Sequence, residues 1–356
     1  MSDEMDLAVL AESFAEVLGA EWPREKAIGW AQTADAAYRE DLWAAMAGLG
    51  WTALTAPEAQ GGLGLGADAA LRLHMALGAA VAPAPMLGTT LAVELLATAG
   101  TGAQQAAWLP GLADGTMRVA FAAPDDAPLA ADGTAVSGTA ANLLDAASAT
   151  HLFLRATRGG QNGWLVVTAD DTNVAVERIP LVDTTRTLGT VTLTGADARD
   201  DAFIACSASA DDAVTRAGML AIAGDSQGGG EAVLTATIEY LNVREQFGVL
   251  IGSFQALKHR VADHQTALVA SRELLEYAAG LPADHPQALL YALSAKQHAT
   301  RTSAEAARDA IQLHGGVGFT AEFVPHLYLK RAKVNEALWG VRASVLDRIA
   351  DILEAA

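Results

Sequence analysis

The sequence predicts an α+β multidomain fold with an N-terminal α-helical domain, a small antiparallel β domain in the middle and a C-terminal four-helix bundle. Helical periodicity runs through residues 1–115. Short β-branched or apolar runs separated by turn residues fill residues 116–207. Four long helical stretches make up residues 208–356, and four consecutive long helices are typical of a bundle.

The N-terminal domain is a series of amphipathic helices from Met5 to about Leu112, including DLAVLAESFAEVLGA and REDLWAAMAGLG, with Gly or Pro between them. Its Gly-rich segment Glu58–Gly66 superficially resembles a phosphate-binding loop. However, no strand leads into this segment and no Lys-Ser/Thr pair follows it. We therefore interpret it as a connection between two helices.

The middle domain contains short strand-like runs: RVAFAA, HLFLRA, GWLVVTA, VAVERI and GTVTLTG. The clusters between them, such as PDDAPLAADGT and TADDTN, have the Asp, Pro and Gly composition of solvent-facing turns. The four helical stretches that follow begin at Asp211, Phe254, Pro286 and Val324.

Composition narrows the class of protein. With 51% hydrophobic residues the chain can bury a sizeable core, and its net charge of −19, dispersed along the sequence, argues against a nucleic-acid partner. The long apolar runs are broken by Pro, Gly and Thr, so we expect no membrane span, and no targeting leader is recognisable. The single cysteine, Cys206, indicates a reducing cytoplasm and no thiolate metal cluster.

The stretch Val243–Asp263, VREQFGVLIGSFQALKHRVAD, is the most informative part of the chain. It predicts two helices meeting at a tight turn, with Ser253 as N-cap of the second helix. Arg244 offers a planar set of donors suited to a pyrophosphate, and Gln255 supplies an amide in the first turn of the next helix. The alternative is an arginine paired with a neighbouring helix at an ordinary turn.

A second candidate element is Ala310–Thr320, AIQLHGGVGFT. Gly315 and Gly316 can adopt positive φ and let another molecule approach the backbone, although a simple helix C-cap also explains them. A C-cap does not explain Gln312. His314 is either part of the same contact or an ordinary cation at a helix C-terminus.

The motifs Arg-x-Gln-Phe-Gly, Ile-Gly-x-Phe-Gln and Lys-His-x-x-Ala-Asp in the first stretch resemble the signature of the acyl-CoA dehydrogenase family. The segment LWAAMAGLGWTALTAPEAQGGLGLG and the order of α domain, β domain and bundle extend the likeness over essentially the whole chain. The resemblance implies FAD as cofactor, an acyl-CoA substrate and electron-transferring flavoprotein as electron acceptor.

In that family the signature residues touch the FAD of a neighbouring subunit, which assigns Arg244, Phe247 and Gln255 to FAD binding. The second element resembles the family's Gln-x-x-Gly-Gly-x-Gly motif, which contacts the adenosine and pyrophosphate of FAD. This likeness adds five further residues: Gln312, Leu313, His314, Gly315 and Gly316.

The chain departs from the family at the catalytic base. Catalysis in the family removes the α-proton of an acyl-CoA thioester with a carboxylate while hydride leaves Cβ for the flavin. The usual Glu precedes the Gly that corresponds to Gly340, and Trp339 stands there. An alternative position on the first bundle helix corresponds to Gly218. The nearby acids are Asp225 and Glu336, and Glu336 is the candidate for a displaced base.

A second departure lies where the family has a Thr-Glu-Pro…Gly-Ser-Asp string that lines the flavin ring. This chain has AFAAPDDAPLAADGT, with Pro124 as a relic of the family proline. The chain therefore retains the motifs that contact the adenosine and pyrophosphate part of FAD. The motif that lines the flavin ring and the position of the catalytic base are eroded.

These features suggest the base-lacking chain of a hetero-oligomer that completes the FAD site of a second acyl-CoA dehydrogenase subunit. Short bacterial members that shorten steroid side chains are of this type, and the DTTR segment at Asp183–Arg186 resembles them. Three alternatives stay open: a flavin-free scaffold or regulatory chain, a self-sufficient homomer with a displaced base, and a monooxygenase-like or nitroalkane-oxidising relative.

Overall fold

The computed structural model describes residues 2–33 and 36–355, with side chains for residues 7–33 and 36–354. Its α-helices are α1 Ser2–Glu21, α2 Arg24–Thr33, α3 Glu40–Gly48, α4 Ala67–Ala79, α5 Met86–Ala99, α6 Gly102–Ala113, α7 Ala208–Leu241, α8 Gln255–Gly280, α9 Ala288–His314, α10 Pro325–Ala337 and α11 Arg342–Ala355. The strands are β1 Val119–Phe121, β2 Leu129–Ala130, β3 Ala135–Leu144, β4 His151–Arg158, β5 Gln161–Thr168, β6 Val174–Ile179, β7 Leu188–Asp197, β8 Phe203–Ala205, β9 Glu245–Gln246 and β10 Val249–Leu250.

The middle strands form two sheets around one apolar core. One sheet has the order β1-β4-β5-β8, with β2 also paired to β4, and the other has the order β3-β7-β6. Alternate residues of β4, β5 and β7, including Leu152, Leu165 and Val191, are fully buried in the shared core. The inward-facing side chains of both sheets therefore form one hydrophobic cluster.

The small β domain that was predicted to be antiparallel also contains two parallel strand pairs. β1 and β2 both pair with β4 in the parallel direction, whereas β4–β5, β5–β8, β3–β7 and β6–β7 are antiparallel. Parallel neighbours need a long crossover, and here the chain passes through β3 in the other sheet before it returns to β4. Local strand patterns do not report such crossovers.

The chain divides into two compact units. The first contains residues 1–34, 71–82 and 219–356, and the second contains residues 35–70 and 83–218. Helices α1, α2 and α8 to α11 belong to the first unit, and both middle sheets belong to the second. The domain limits at 115/116 and 207/208 stay predictions.

Within the first unit, α4 and α7 cross almost backbone to backbone. A Cβ placed on Gly228 would lie 1.9 Å from the carbonyl oxygen of Met75, and one placed on Gly78 would lie 1.9 Å from that of Asp225. Only glycine permits this approach, so these two positions fix how closely the helices pack.

The fourth predicted helix of the bundle is two helices, α10 and α11. The chain breaks at Leu338–Val341, called here the α10–α11 turn, because Trp339 has φ of 55° and Gly340 has φ of 103°. Both values are positive, which an α-helix does not accommodate.

The predicted architecture of helical N-terminal region, middle β domain and C-terminal helical bundle is otherwise confirmed. Within the described ranges, no helix is long and apolar enough to cross a membrane.

Candidate functional site

The segment between α7 and α8 is a small exposed hairpin. Strands β9 and β10 pair in antiparallel register, and Phe247 and Gly248 at the tip have φ of 55° and 77°. Two successive left-handed residues are the geometry of a tight two-residue hairpin turn. Phe247 is 92% exposed as a result, and the backbone N–H of Ile251 donates to the carbonyl of Arg244 at 2.9 Å to close the hairpin.

The prediction that Ser253 caps α8 was wrong. Phe254 occupies the N-cap position and no side chain caps the helix. Ser253 lies in a preceding 3-10 turn, and its hydroxyl donates back to the carbonyl of Leu250 at 2.7 Å. Gln255 is the first residue of α8 and is exposed, next to backbone N–H groups that the helix itself cannot pair.

The end of α9 separates buried from exposed residues within one turn. Leu313 and His314 are buried, whereas Gln312, Gly315 and Gly316 are exposed. Gly315 leaves the helix with φ of 64°, and its N–H donates to the carbonyl of Gln312. The left-handed glycine therefore ends the helix and leaves the Gln312 side chain at the surface.

His314 is buried at the C-terminal end of α9. Its Nδ1 donates to the carbonyl of Ala310 at 2.7 Å, and its ring stacks on Tyr240 with centroids 4.4 Å apart. Burial lowers the pKa of His314 below its ordinary value, which favours the neutral ring. Its role is to pack the end of α9 against the end of α7.

The Tyr240–His314 contact brings the two predicted binding elements together. The Tyr240 hydroxyl donates to the carbonyl of His314 at 3.3 Å, and the N–H of Arg244 donates to the carbonyl of Tyr240 at 2.9 Å. Arg244 thus lies four residues after Tyr240, and Gln312 lies two residues before His314 on α9.

We call Arg244, Gln255 and Gln312 the donor surface. All three side chains are exposed, and Arg244 makes no ion pair with any described residue, so the alternative of an arginine paired within the chain is not what the structure shows. A guanidinium, two amides and the start of a helix are groups that bind phosphates. These residues fit the pyrophosphate and adenosine part of FAD.

The α10–α11 turn differs from the donor surface, because the polar group that meets it is buried and bonded within the chain. Lys296 of α9 is 1% exposed, and its ammonium donates to the carbonyls of Gly340 at 2.7 Å and Glu336 at 3.3 Å. Burial lowers the pKa of Lys296 to about 8, although nearby Glu336 acts in the other direction. The ammonium therefore ties the end of α10 to Gly340, with Trp339 between them, 7% exposed.

The carboxylates near this turn are already paired. Glu336 accepts from the ammonium of Lys333 at 2.6 Å and borders an open groove of about 520 Å³ on α9 and α10. Asp225 is buried and accepts from two guanidinium nitrogens of Arg331 at 2.7 and 3.0 Å and from the Asn335 amide at 2.7 Å. Asp225 thus forms a buried ion pair with Arg331.

Gly218 is buried on α7 and carries no carboxylate. In the same unit, however, Glu94 of α5 is a carboxyl group that the sequence patterns did not reveal. Burial raises its pKa, and the charge of Arg216, two residues before Gly218, opposes that rise. The signal that could have found it is a single acid in the apolar helix MLGTTLAVELLATA.

The loop that would line a flavin ring lacks hydroxyl side chains. Between β1 and β2 the residues are AAPDDAP, and the carboxylate of Asp126 accepts from the N–H of Ala123 at 2.8 Å within the loop itself. Pro124 is present, but the loop does not fit the flavin ring as the family motif does. The Asp183–Arg186 segment likewise forms hydrogen bonds within itself. The Asp183 carboxylate accepts from the N–H and the hydroxyl of Thr185 at 2.9 and 2.6 Å.

Two family models match the N-terminal and the C-terminal parts of the chain. Residues 7–116 match the acyl-CoA dehydrogenase N-terminal domain, and residues 214–353 match the C-terminal domain. The chain is 33% identical to acyl-CoA dehydrogenase IpdE2 of Mycobacterium tuberculosis, over 91% of this chain and 90% of the relative. It is 31% identical to IpdE2 of Mycolicibacterium smegmatis over 98% of both chains.

Among solved structures, a Tcur3481-Tcur3483 steroid ACAD superposes with a TM-score of 0.89 at 28% identity, covering 99% of this chain and 98% of that one. A chain of the ChsE4-ChsE5 complex of Mycobacterium tuberculosis has the same fold, with a TM-score of 0.87 at 24% identity over 98% and 97% of the two chains. A glutaryl-CoA dehydrogenase of Mycobacterium smegmatis, solved with FADH2, also shares the fold, with a TM-score of 0.86 at 19% identity over 100% and 95%. On these matches the chain belongs to the acyl-CoA dehydrogenase family, whose cofactor is FAD and whose members are oxidoreductases acting on acyl-CoA.

Proposed function

We propose that this chain is the base-lacking subunit of a hetero-oligomeric acyl-CoA dehydrogenase and completes the FAD site of a second, base-bearing subunit. The observation that carries the proposal is the contrast between an exposed donor surface and the absence of a carboxylate at Trp339. Arg244, Gln255 and Gln312 are directed to solvent.

The donor surface supports a role in binding a cofactor held mainly by another chain. Its donors come from two elements joined by the Tyr240–His314 stack, so they are fixed relative to one another before any ligand arrives. Arg244 would bind the pyrophosphate, since a guanidinium matches phosphate oxygens in two-pronged geometry. Gln312 and Gln255 would donate from their amides. When bound, FAD supplies the hydride acceptor.

The missing base supports dependence on a partner. Removing an α-proton requires a positioned carboxylate, and the indole of Trp339 cannot accept that proton. Lys296 holds the Trp339 turn from the buried side, so the turn does not simply swing away to admit a neighbouring acid. We therefore assign the α-proton abstraction to the partner subunit.

The names of the relatives support a proposal for the substrate class and the assembly. The 28% identical structure is described as a steroid ACAD and bears two names, Tcur3481 and Tcur3483. By that likeness we propose an acyl-CoA with a steroid-derived acyl group and an assembly of two different chains. The proposed electron acceptor is electron-transferring flavoprotein, as the family resemblance implies.

One second candidate has a specific observation in its favour. Glu94 is a partly buried carboxyl group with a raised pKa, which is the property that a general base requires. If Glu94, or Glu336 after release from Lys333, accepted the α-proton, the chain would be a self-sufficient homomer.

The test is anaerobic bleaching of flavin absorbance by a panel of fatty and steroid acyl-CoAs. The samples are the chain alone, the base-bearing partner alone and the reconstituted pair, and Glu336→Gln and Glu94→Gln in this chain are tested both alone and in the pair. We expect turnover in the pair, unchanged by either substitution, and no turnover by the chain alone, which lacks the general base and holds no flavin ring of its own. Full turnover by the chain alone, lost on Glu94→Gln or Glu336→Gln, would establish the homomer.

A further inference from the structure

The open groove beside Glu336 lies between α9, α10 and the start of α11, and it shares no residue with the donor surface. Its volume is about 520 Å³, which is within the range of roughly 300–1,000 Å³ that small-molecule sites have. All of its lining residues belong to the first unit. The groove is therefore large enough for a small organic molecule.

Six charged side chains line the groove, four of them basic and two acidic. Both acids are already paired with a basic residue of their own helix. Glu305 accepts from Arg301 at 2.9 Å, and Glu336 accepts from Lys333 at 2.6 Å. Each of these pairs is neutral overall. Two basic side chains of the groove are therefore left without a counter-charge.

The two remaining basic residues are Arg308 of α9 and Arg342, the first residue of α11. Both side chains are exposed, and neither forms an ion pair with any residue that the structure describes. An unpaired guanidinium keeps its fork of N–H donors for phosphate or carboxylate oxygens. In a chain with a net charge of −19, these two cations give the groove a local positive charge. The groove therefore favours a ligand with two negative charges.

The start of α11 places backbone donors next to Arg342. The first N–H groups of an α-helix have no acceptor within the helix, and those of Arg342, Ala343 and Ser344 have no acceptor among the described residues. The Ser344 hydroxyl donates to the carbonyl of Val341 at 2.9 Å. Free N–H groups at a helix start attract the same anions as the arginine beside them.

Small apolar side chains also line the groove. They include Ala304, Ala337 and Val341, the last of which is 57% exposed. A ligand with anionic oxygens and a short hydrocarbon body can contact both kinds of lining. A cationic ligand would be repelled by the two unpaired arginines, and a purely apolar ligand would remove them from water without compensation.

We propose that this groove binds a small organic dianion through Arg308 and Arg342. The two negative charges can lie on one phosphate ester or on two carboxylates, because a guanidinium binds both kinds of oxyanion. This site is separate from the residues proposed to bind FAD. Its test therefore requires neither flavin nor a partner subunit.

The experiment measures binding to the full-length chain by calorimetry in a low-salt buffer without phosphate. The dianionic probes are phenyl phosphate, with both charges on one group, and suberate, with two carboxylates. The control probes are benzoate as a monoanion and diaminooctane as a dication of the same carbon number as suberate. We expect at least one dianion to bind, and the tighter of the two identifies the source of the charge. Benzoate should bind roughly tenfold more weakly, because it can compensate only one arginine.

Variants assign the binding to the groove. Arg308→Gln and Arg342→Gln should each weaken binding of the tighter dianion by roughly 10- to 150-fold, because each removes a hydrogen bond between charged groups. Glu336→Gln should strengthen binding, because it removes a negative charge from the groove and frees Lys333. Arg178→Gln on β6, another exposed arginine, is the matched control and should leave binding unchanged.

The proposal fails if neither dianion binds at millimolar concentration, or if benzoate or diaminooctane binds as tightly as the tighter dianion. It also fails if either arginine variant binds that dianion as tightly as the parent, with native circular dichroism showing that the variant is folded. A lack of turnover in the reconstituted pair, by contrast, would contradict only the proposed function.

Discussion

The donor surface and the α10–α11 turn solve opposite physical problems within one helical unit. Arg244, Gln255 and Gln312 are exposed polar groups that keep their hydrogen-bonding capacity for another molecule. At the turn, the ammonium of Lys296 is buried and uses its hydrogen bonds on carbonyls of its own chain. On the proposed function, the first arrangement serves to bind the tail of the cofactor, whereas the second makes the turn at Trp339 rigid.

The largest effect is expected at Arg244. Arg244→Ala in the reconstituted pair should weaken FAD binding by roughly 10- to 150-fold, because a hydrogen bond to a charged group contributes about 1.5–3 kcal/mol. The measurement is the flavin dissociation constant from absorbance after dialysis. Arg178→Ala on β6, another exposed arginine, is the control and should leave flavin binding unchanged. Equal flavin retention in both variants would remove Arg244 from the site.

The hairpin tip tests whether the same surface meets another subunit. Phe247 is 92% exposed, and burying such a side chain against a partner contributes roughly 1.5–3 kcal/mol. We expect the chain to be a dimer or larger at working concentration and Phe247→Asp to weaken this association by at least tenfold.

Sedimentation velocity gives the mass, and far-ultraviolet circular dichroism controls for folding. The control variant is Phe319→Asp, which alters another exposed phenylalanine, 76% exposed, beyond the end of α9. A parent chain that is monomeric and still holds flavin would contradict the proposed use of the donor surface.

Substitution of Lys296 tests whether this residue is buried as an ammonium at the α10–α11 turn. Its pKa is lowered from 10.5 to about 8 in the folded protein, so between these values the unfolded chain binds more protons than the folded one. This group's contribution to the free energy of unfolding therefore rises with pH, by about 3 kcal/mol in all.

Lys296→Met should abolish this rise, as measured by urea unfolding at a series of pH values. Lys258→Met, at an exposed position of α8, is the matched control and should keep it. A pH profile for Lys296→Met that is parallel to the parent's would show that Lys296 titrates normally and does not hold the turn as a buried ammonium.

The smallest effect is expected at Gln312. An amide hydrogen bond is neutral and contributes about 0.5–1.5 kcal/mol, so Gln312→Ala should weaken FAD binding by roughly 2- to 12-fold in the pair. Gln161→Ala on β5 is the control. An effect of Gln312→Ala that exceeds that of Arg244→Ala would reverse the assignment of the pyrophosphate to Arg244.

The sequence predicted the features that local patterns encode. The order of helices and strands, the glycine that ends α9 and the turn between α7 and α8 all depend on residue types close together in the chain. The parallel pairing of β1 with β4 and the burial of His314 against Tyr240 depend on residues distant in sequence, and no local pattern carries them.

The break between α10 and α11 shows the same limit. Continuous helical periodicity predicted one helix, whereas Lys296, more than 40 positions earlier, binds the carbonyl of Gly340 and stabilises a left-handed turn at Trp339. Glu94 was missed for a related reason: the pKa of a carboxyl group depends on the surroundings that the fold assembles, here its burial and Arg216.

The flavin content of the reconstituted pair tests the central claim most directly. If this chain lends its donor surface to a partner's cofactor and holds no flavin ring itself, the purified pair contains one FAD for each two chains, and this chain alone is colourless. One FAD for every chain, or a yellow preparation of this chain alone that turns over acyl-CoA, would contradict that claim.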